Sequence, residues 1–278
     1  MMAAATVPDA ARAYALGRDD AESDRLGRQS AELRPEAAAL LGRIALAPGQ
    51  AAIDLGCGPS GILDLLSAAI SPSGRVVGLD ADPRHAAMAA RHARQLGLAN
   101  VEVVSADARH TGLPQGSFDL VHARTLLVTI PEPGQVVAEM IRLARPGGWI
   151  ASQEPDCEYS LCYPPIPAWD RLHELFLAAF ARSGANPLIG RQVTELYREA
   201  GLSEIELVSY APAYPAGHSR RTLLPDLVRS MRPMILELGL SDEQELGEVD
   251  RAVRAHLAEP RTVTMPHLLI AAWARKAA

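Results

Sequence analysis

The sequence predicts an α/β protein built on a doubly wound parallel sheet. Three observations carry this reading. From residue 51 to 152, short runs rich in Val, Ile and Leu alternate with amphipathic stretches. The short runs are continuously apolar, as strands covered on both faces are. The first of them leads directly into "GCGPSG", a glycine turn that opens a helix.

The elements follow in order. The opening "MMAAATVPDAARAYALGRDD" has no basic segment leading into an apolar run, so no targeting segment is expected. Asp19 to Leu33 reads as a charged helix with a solvated face, its acids first and Arg25 and Arg28 later, as a helix dipole favours. "EAAALLGRI" after Pro35 is a second short helix. Then come "AAIDL" as a strand, "SGILDLLSAAI" as a helix, "RVVGLD" as a strand, and "PRHAAMAARHARQLG" as a helix with Pro83 near its start and Gly97 past its end. "VEVVSAD", "FDLVHAR" and "GGWIASQEP" are further strands, with the helix "PGQVVAEMIRLA" before the last. Two amphipathic helices follow, "AWDRLHELFLAAFARSG" and "GRQVTELYREAG", and then two β-rich stretches, "IELVSYAPAY" and "RTVTMPHLLIAAWAR". About forty residues separate those two stretches, too many for a hairpin turn. They read as a helical insertion, with Ser241 and Gln244 fitting a capping box. The organisation expected is an N-terminal helical cap over 1–45, a core over 46–216 and 261–278, and a helical lid over 217–260.

Composition narrows the function classes. A net charge of −6 over 278 residues gives no general attraction to nucleic acid or to an anionic membrane. Three cysteines do not make a disulfide framework, and no His or Cys spacing fits zinc, so no metal is expected. No apolar stretch approaches the roughly twenty residues of a membrane span. A cytoplasmic protein is the expectation, and a homodimer stays open.

The glycine loop is where a ligand belongs. In an open α/β sheet ligands sit beyond the carboxyl ends of the strands, and Gly56, Gly58 and Gly61 fall there. Such a loop suits a dinucleotide as well as other nucleosides. Asp80, ending the second strand, is placed to accept from ribose hydroxyls. Asp54 discriminates: a fixed anion two residues before Gly56 would repel a pyrophosphate by roughly 1 to 4 kcal/mol. S-adenosylmethionine has no phosphate and carries an ammonium and a sulfonium, so it suits Asp54 better.

Taken together, "IDLGCGPSG", "VVGLDADP", "VVSADA", "FDLVHAR" and "LARPGGWIASQEP" resemble the successive motifs of class I S-adenosylmethionine-dependent methyltransferases over residues 51 to 154. The resemblance implies a Rossmann-like seven-stranded sheet whose last strand is antiparallel and inserted beside the sixth. It implies that Gly56 and Gly58 approach the methionine part of the cofactor and Asp80, with Ala81 beside it, the ribose. Asp107 with Ala108 would meet the adenine, and Ala123 or Arg124 the methionine end. The segment "AYALGRDDAESDRLGRQ" further resembles the leading part of bacterial small-molecule methyltransferases acting on quinones and secondary metabolites, in which Tyr14 and Gln29 would fold over the cofactor.

Methyl transfer is an in-line displacement, so it needs a held nucleophile, and a base only where the acceptor must lose a proton. His122, Arg124 and Glu154 are the catalytic candidates, each with a structural alternative: a satisfied buried histidine, an ion pair, a strand-end carboxylate. Asp156, His173 and His218 are further polar residues of interest. Trp169, Phe176, Phe180, Met231 and Met234 read as inner faces of cap helices, and any that line a cavity would favour an apolar or aromatic acceptor. The expected function is methyl transfer from S-adenosylmethionine to a small apolar or aromatic molecule. The alternatives are a protein or peptide acceptor, or a dinucleotide-dependent oxidoreductase using the same loop.

Overall fold

Parallel pairing of apolar strands organises the molecule. The computed structural model describes residues 20–71 and 73–277. The strands are β1 (Ala51–Leu55), β2 (Arg75–Asp80), β3 (Val101–Ser105), β4 (Phe118–Arg124), β5 (Ala144–Asp156), β6 (Leu161–Tyr163), β7 (Glu206–Tyr210), β8 (Val263–Met265) and β9 (Leu268–Arg275). The helices are α1 (Asp20–Glu32), α2 (Arg34–Ile44), α3 (Leu63–Ile70), α4 (Pro83–Gln95), α5 (Pro133–Leu143), α6 (Pro167–Arg182), α7 (Ile189–Glu199), α8 (Leu223–Glu237) and α9 (Glu243–Ala258). One sheet runs β3-β2-β1-β4-β5-β9-β7. Its first five strands are parallel, and β9 lies antiparallel between β5 and β7. The seven-stranded, doubly wound Rossmann-like sheet with an inserted antiparallel last strand is therefore present. Strand order reverses between β1 and β4, so the crevice beyond their carboxyl ends is the expected ligand position.

Each face of the sheet is covered. Leu40 of α2, Leu66 and Ile70 of α3 and Ala89 of α4 pack on one side with Ala52, Val76 and Leu120. On the other, Met140 of α5, Leu172 of α6, Val193 of α7 and Met231 of α8 join a second cluster with Ile53, Val121 and Ile150. With few aromatics, aliphatic side chains do fill most of this core. The fully buried Tyr197 still finds a partner, its hydroxyl donating to Ser152 Oγ at 2.9 Å.

Three expectations need correction. The run "RTVTMPHLLIAAWAR" is not one strand. Pro266 cannot donate to a ladder, so the run divides into β8 and β9, and β8 pairs instead with the short β6 in a separate two-stranded ribbon. The cap of α9 is Asp242 rather than Ser241; its carboxylate accepts from Glu245 N at 2.8 Å, a stronger acceptor one residue later. Finally, Arg25 is not on a solvated face of α1: it is 8% exposed, because α1 lies over the crevice. Residues 217–260 are largely helical, with a single 3₁₀ turn at Ser219–Thr222 followed by α8 and α9.

Candidate active site

The glycine loop joins β1 to α3. Gly58 has φ of 58°, and a Cβ built on it would meet nothing within 4 Å, so its backbone faces open space. Gly61 is required for a different reason: at φ 57° its Cβ would lie 2.4 Å from Asp54 Oδ2. One glycine leaves room for a ligand, and the other lets the chain close on a carboxylate.

Register explains what Asp54 does. Asp54 on β1 stands opposite His122 on β4, and its Oδ1 lies 2.8 Å from His122 Nδ1. A carboxylate only accepts, so Nδ1 carries the proton. Oδ2 accepts from Ile62 N at 3.0 Å at the start of α3. His122 has no exposure and lines neither of the two cavities described below; it sits behind Asp54 and orients it.

Asp80 accepts from Gly58 N at 2.8 Å and Asp82 N at 2.9 Å, which fixes the loop to the end of β2. His85 Nδ1 lies 3.8 Å away, at ion-pair distance, and the Asp80 carboxylate beside it raises the imidazole above its ordinary pKa. Ser23 of α1 reaches the other ring nitrogen at 3.3 Å, so the cap is tied to the same carboxylate. Ala81 is exposed next to Asp80. Asp107 is held by Arg109, which donates from its backbone at 2.8 Å and from Nη2 at 2.7 Å and keeps the carboxyl below its usual range. Its side chain remains 44% exposed, and Ala108 beside it is buried. Ala123 is fully buried with its methyl in the core cluster, so only its backbone can contribute to the crevice.

The end of β4 meets the cap. Arg124 Nη2 donates to Ser30 Oγ at 2.9 Å and Nη1 to the Leu33 carbonyl at 3.1 Å, and burial lowers its pKa. Gln29 Nε2 donates to Thr125 Oγ1 at 3.1 Å while its oxygen accepts from Arg25 at 2.8 Å. Tyr14 lies outside the described residues.

Two cavities meet at this point. One, of about 40 Å³, is bordered by Asp54, Gly56, Gly58, Arg124 and Thr125, with Ser30 and Gln29 from α1. The other, of about 60 Å³, is walled by Val128, Pro155, Phe176, Phe180, Leu223 and Leu227. Gln29 and Thr125 border both. Thr125 holds φ of 52°, uncommon for a β-branched residue and typical of a functional turn.

Glu154 stands just behind that wall. Its Oε1 accepts from Leu126 N at 3.1 Å and Leu127 N at 3.0 Å, and its Oε2 from Val128 N at 3.1 Å. Burial pushes its pKa up to about 7 against the pull of those amides. With no exposure, it fixes the turn after Thr125 and borders neither cavity. Asp156 pairs with Arg191, His173 Nε2 contacts the Cys157 carbonyl at 2.6 Å, and His218 accepts from Arg220 N at 3.2 Å. Of the residues read as cap faces, Phe176 and Phe180 border the larger cavity, whereas Trp169 and Met231 are core and Met234 is partly buried against it. Thr125, Arg25, Arg220 and His267 border it as well and have no sequence signal that marks them. Among the described residues no three His, Cys, Asp or Glu side chains gather as a metal site.

A switch-point cleft with an open glycine backbone, a buried anion at its floor and carboxylates ending β2 and following β3 defines a nucleoside-binding α/β protein. The donor set fits S-adenosylmethionine: the Gly58 surface is free of Cβ, Asp54 and Arg124 border the same small cavity, and Asp80 retains acceptor capacity. Comparison with known proteins agrees. Residues 46–201 match the model of the methyltransferase domain family. The chain belongs to this family, and its sheet has the class I methyltransferase fold. An uncharacterized 37.1 kDa protein in transposon TN4556 of Streptomyces fradiae is 36% identical over 157 residues, 56% of this chain and 44% of that protein. The chain thus matches less than half the length of that relative. A demethylmenaquinone methyltransferase of Geobacillus sp. (strain WCH70) is 28% identical over 199 residues, 64% of this chain and 82% of that protein. Among solved structures, phosphoethanolamine N-methyltransferase 2 of Haemonchus contortus, in complex with S-adenosyl-L-methionine, superposes with a TM-score of 0.57 over 88% of this chain and 53% of that chain. Its identity is 17%, a likeness of fold.

Proposed function

We propose that the protein transfers a methyl group from S-adenosylmethionine to a small apolar or aromatic molecule seated in the larger cavity. The observation that carries this reading is the shared border: the glycine-loop cavity and the apolar cavity meet at Gln29 and Thr125, where a methyl group would cross. The name of the Geobacillus relative, a quinone methyltransferase, supports a small acceptor.

Bound cofactor would supply an electrophilic methyl carbon on a sulfonium. The chain's residues do the rest by positioning. Gly56 and Gly58 would admit the methionine part, Asp54 and Arg124 would hold its charged end, and Asp80 and Asp107 would take ribose and adenine. Glu154 holds the Leu126–Val128 amides so that Thr125 keeps its conformation. Phe176, Phe180 and Leu227 exclude water and orient the acceptor, and holding two reactants in line is worth up to roughly 7 to 11 kcal/mol of barrier. His122 and Glu154 act in this scheme as positioning residues, and Arg124 contacts the cofactor. Of the expected cap over 1–45, the described part, α1 and α2, serves as a cap, and 217–260 serves as a lid over the cavity. No helix among the described residues is long and apolar enough to cross a membrane, and the acidic chain offers nothing to nucleic acid; its setting is read as cytoplasmic.

The test is incubation with methyl-labelled S-adenosylmethionine and a panel of phenols, amines, quinones and carboxylates. Label is expected in at least one small molecule. Label in a peptide or RNA alone would refute the small-molecule reading.

A further inference from the structure

We infer that the acceptor is acidic: an apolar body carrying an ionised oxygen, which Arg220 binds inside the larger cavity. The inference rests on reading that cavity as the acceptor site. Arg220 is 3% exposed, yet its Nε and Nη1 have no hydrogen-bond partner among the described residues. A buried guanidinium with two empty donors is costly, because a charged group left short of partners loses its hydration without replacement. Its neighbours do not make up the loss. Glu32 Oε2 forms an ion pair with Nε at 3.8 Å, beyond hydrogen-bond reach, while its Oε1 accepts from the Ser219 hydroxyl, and Nη1 has no acceptor among the described residues. His267 Nε2 lies 3.5 Å from Nη2 and must accept, since guanidinium only donates. The Tyr214 ring, 5.7 Å from the guanidinium carbon, adds a cation–π contact.

Glu32 stands beside Arg220 on the side away from the cavity lining, and Arg25 borders the same cavity; among the described residues no aspartate or glutamate lines it, in a chain whose net charge is −6. His267, the one imidazole on that wall, is 7% exposed, and burial pushes its pKa down to about 3, so it stays neutral. The rest of the wall is mostly apolar and, apart from the neutral Gln29, Thr125 and Thr129, is built of side chains such as Phe176 and Phe180, stacked at 5.4 Å between centroids. A neutral hydrocarbon would leave Nη1 unsatisfied. A carboxylate meets the end of the guanidinium through Nη1 and Nη2, the two-pronged geometry that arginine favours, and an ionised phenol or enol oxygen would take Nη1 alone, with Nε left beside Glu32. Arg220 belongs to the inserted segment that leads into α8, so the lid itself would carry the selectivity.

The experiment is calorimetric titration of the full chain, saturated with S-adenosylhomocysteine, using aryl carboxylates of one to three rings and the matching primary amides. At least one carboxylate is expected to bind tenfold or more tightly than its amide. In Arg220→Met that carboxylate should weaken at least tenfold while its amide and S-adenosylhomocysteine shift less than twofold, and Arg220→Lys should recover part of the loss. The carboxylate-to-amide comparison needs no variant, so it decides the matter even if Arg220→Met does not fold. Equal binding of acids and amides, or equal weakening of both in Arg220→Met, would overturn the role of Arg220 and leave the small-molecule reading standing. Binding of neither series, with S-adenosylhomocysteine still bound, would instead refute the cavity as an acceptor site and the Arg220 proposal with it.

Discussion

Replacing Gly58 with alanine separates backbone strain from ligand contact, provided it is paired with the same change at Gly97. Both glycines are left-handed, with φ of 58° and 69°, and a Cβ on either would meet nothing within 4 Å. The conformational cost is therefore the same, about 1 to 2 kcal/mol for an L-residue in that region. In a chain of this size, that lowers Tm by roughly 2 to 8 °C. The two positions differ in what lies beyond the Cβ. Gly97 follows α4 at the other end of the sheet, whereas Gly58 borders the small cavity beside Asp54. A methyl group there takes the space assigned to the methionine part of the cofactor, so Gly58→Ala should weaken S-adenosylhomocysteine at least tenfold, about 1.4 kcal/mol. Gly97→Ala should bind it within twofold of the parent. The assays are a thermal melt for strain and calorimetry for affinity. Equal affinity in the two variants, with equal loss of Tm, would refute the placement of the cofactor at Gly58.

Other consequences follow from the buried carboxylates. Asp54→Asn leaves one acceptor oxygen for two donors, His122 Nδ1 and Ile62 N, and should cost about 1 to 3 kcal/mol by urea denaturation; an unchanged midpoint would show that the pair does not matter. Glu154 has its folded pKa raised from 4.5 to about 7. The folded protein therefore holds an extra proton between those values, and this carboxyl's contribution declines as pH rises through them, by up to about 3 kcal/mol. Glu154→Gln should remove that slope, which chemical denaturation at pH 5 and pH 7.5 would show. Glu139 runs the other way: hydrogen bonds from Arg142, then Thr111, hold it down at about 2. Its contribution is present above pH 4.5 and fades as pH falls toward 2, so the stability gap between the parent and Glu139→Gln should narrow between pH 5 and pH 3.

Much of the fold was legible because its signals are local. Apolar strands, Pro83 at the start of α4 and Gly97 beyond its end are written in short windows, and so are the carboxylates Asp54, Asp80 and Asp107. Other features depend on which strands become neighbours. His122 reads from the sequence as either a catalytic candidate or a satisfied buried histidine, and only the β1–β4 register sets it against Asp54, 68 residues earlier in the chain. Glu154 looked like a rim carboxylate until three amides of the turn after β4 closed on it. Arg220 stands in a helical insertion with no motif around it, and its burial arises only when that insertion folds back over the crevice. Pro266 was visible, but the strand break it causes depends on β6 being near enough to pair with β8.

The central claim is that the glycine loop serves S-adenosylmethionine and not a dinucleotide. Calorimetric titration of the full chain with S-adenosylmethionine and, separately, with NADH tests it most directly. The account predicts saturable one-to-one binding of S-adenosylmethionine and no heat from NADH. Binding of NADH with no response to S-adenosylmethionine would contradict it.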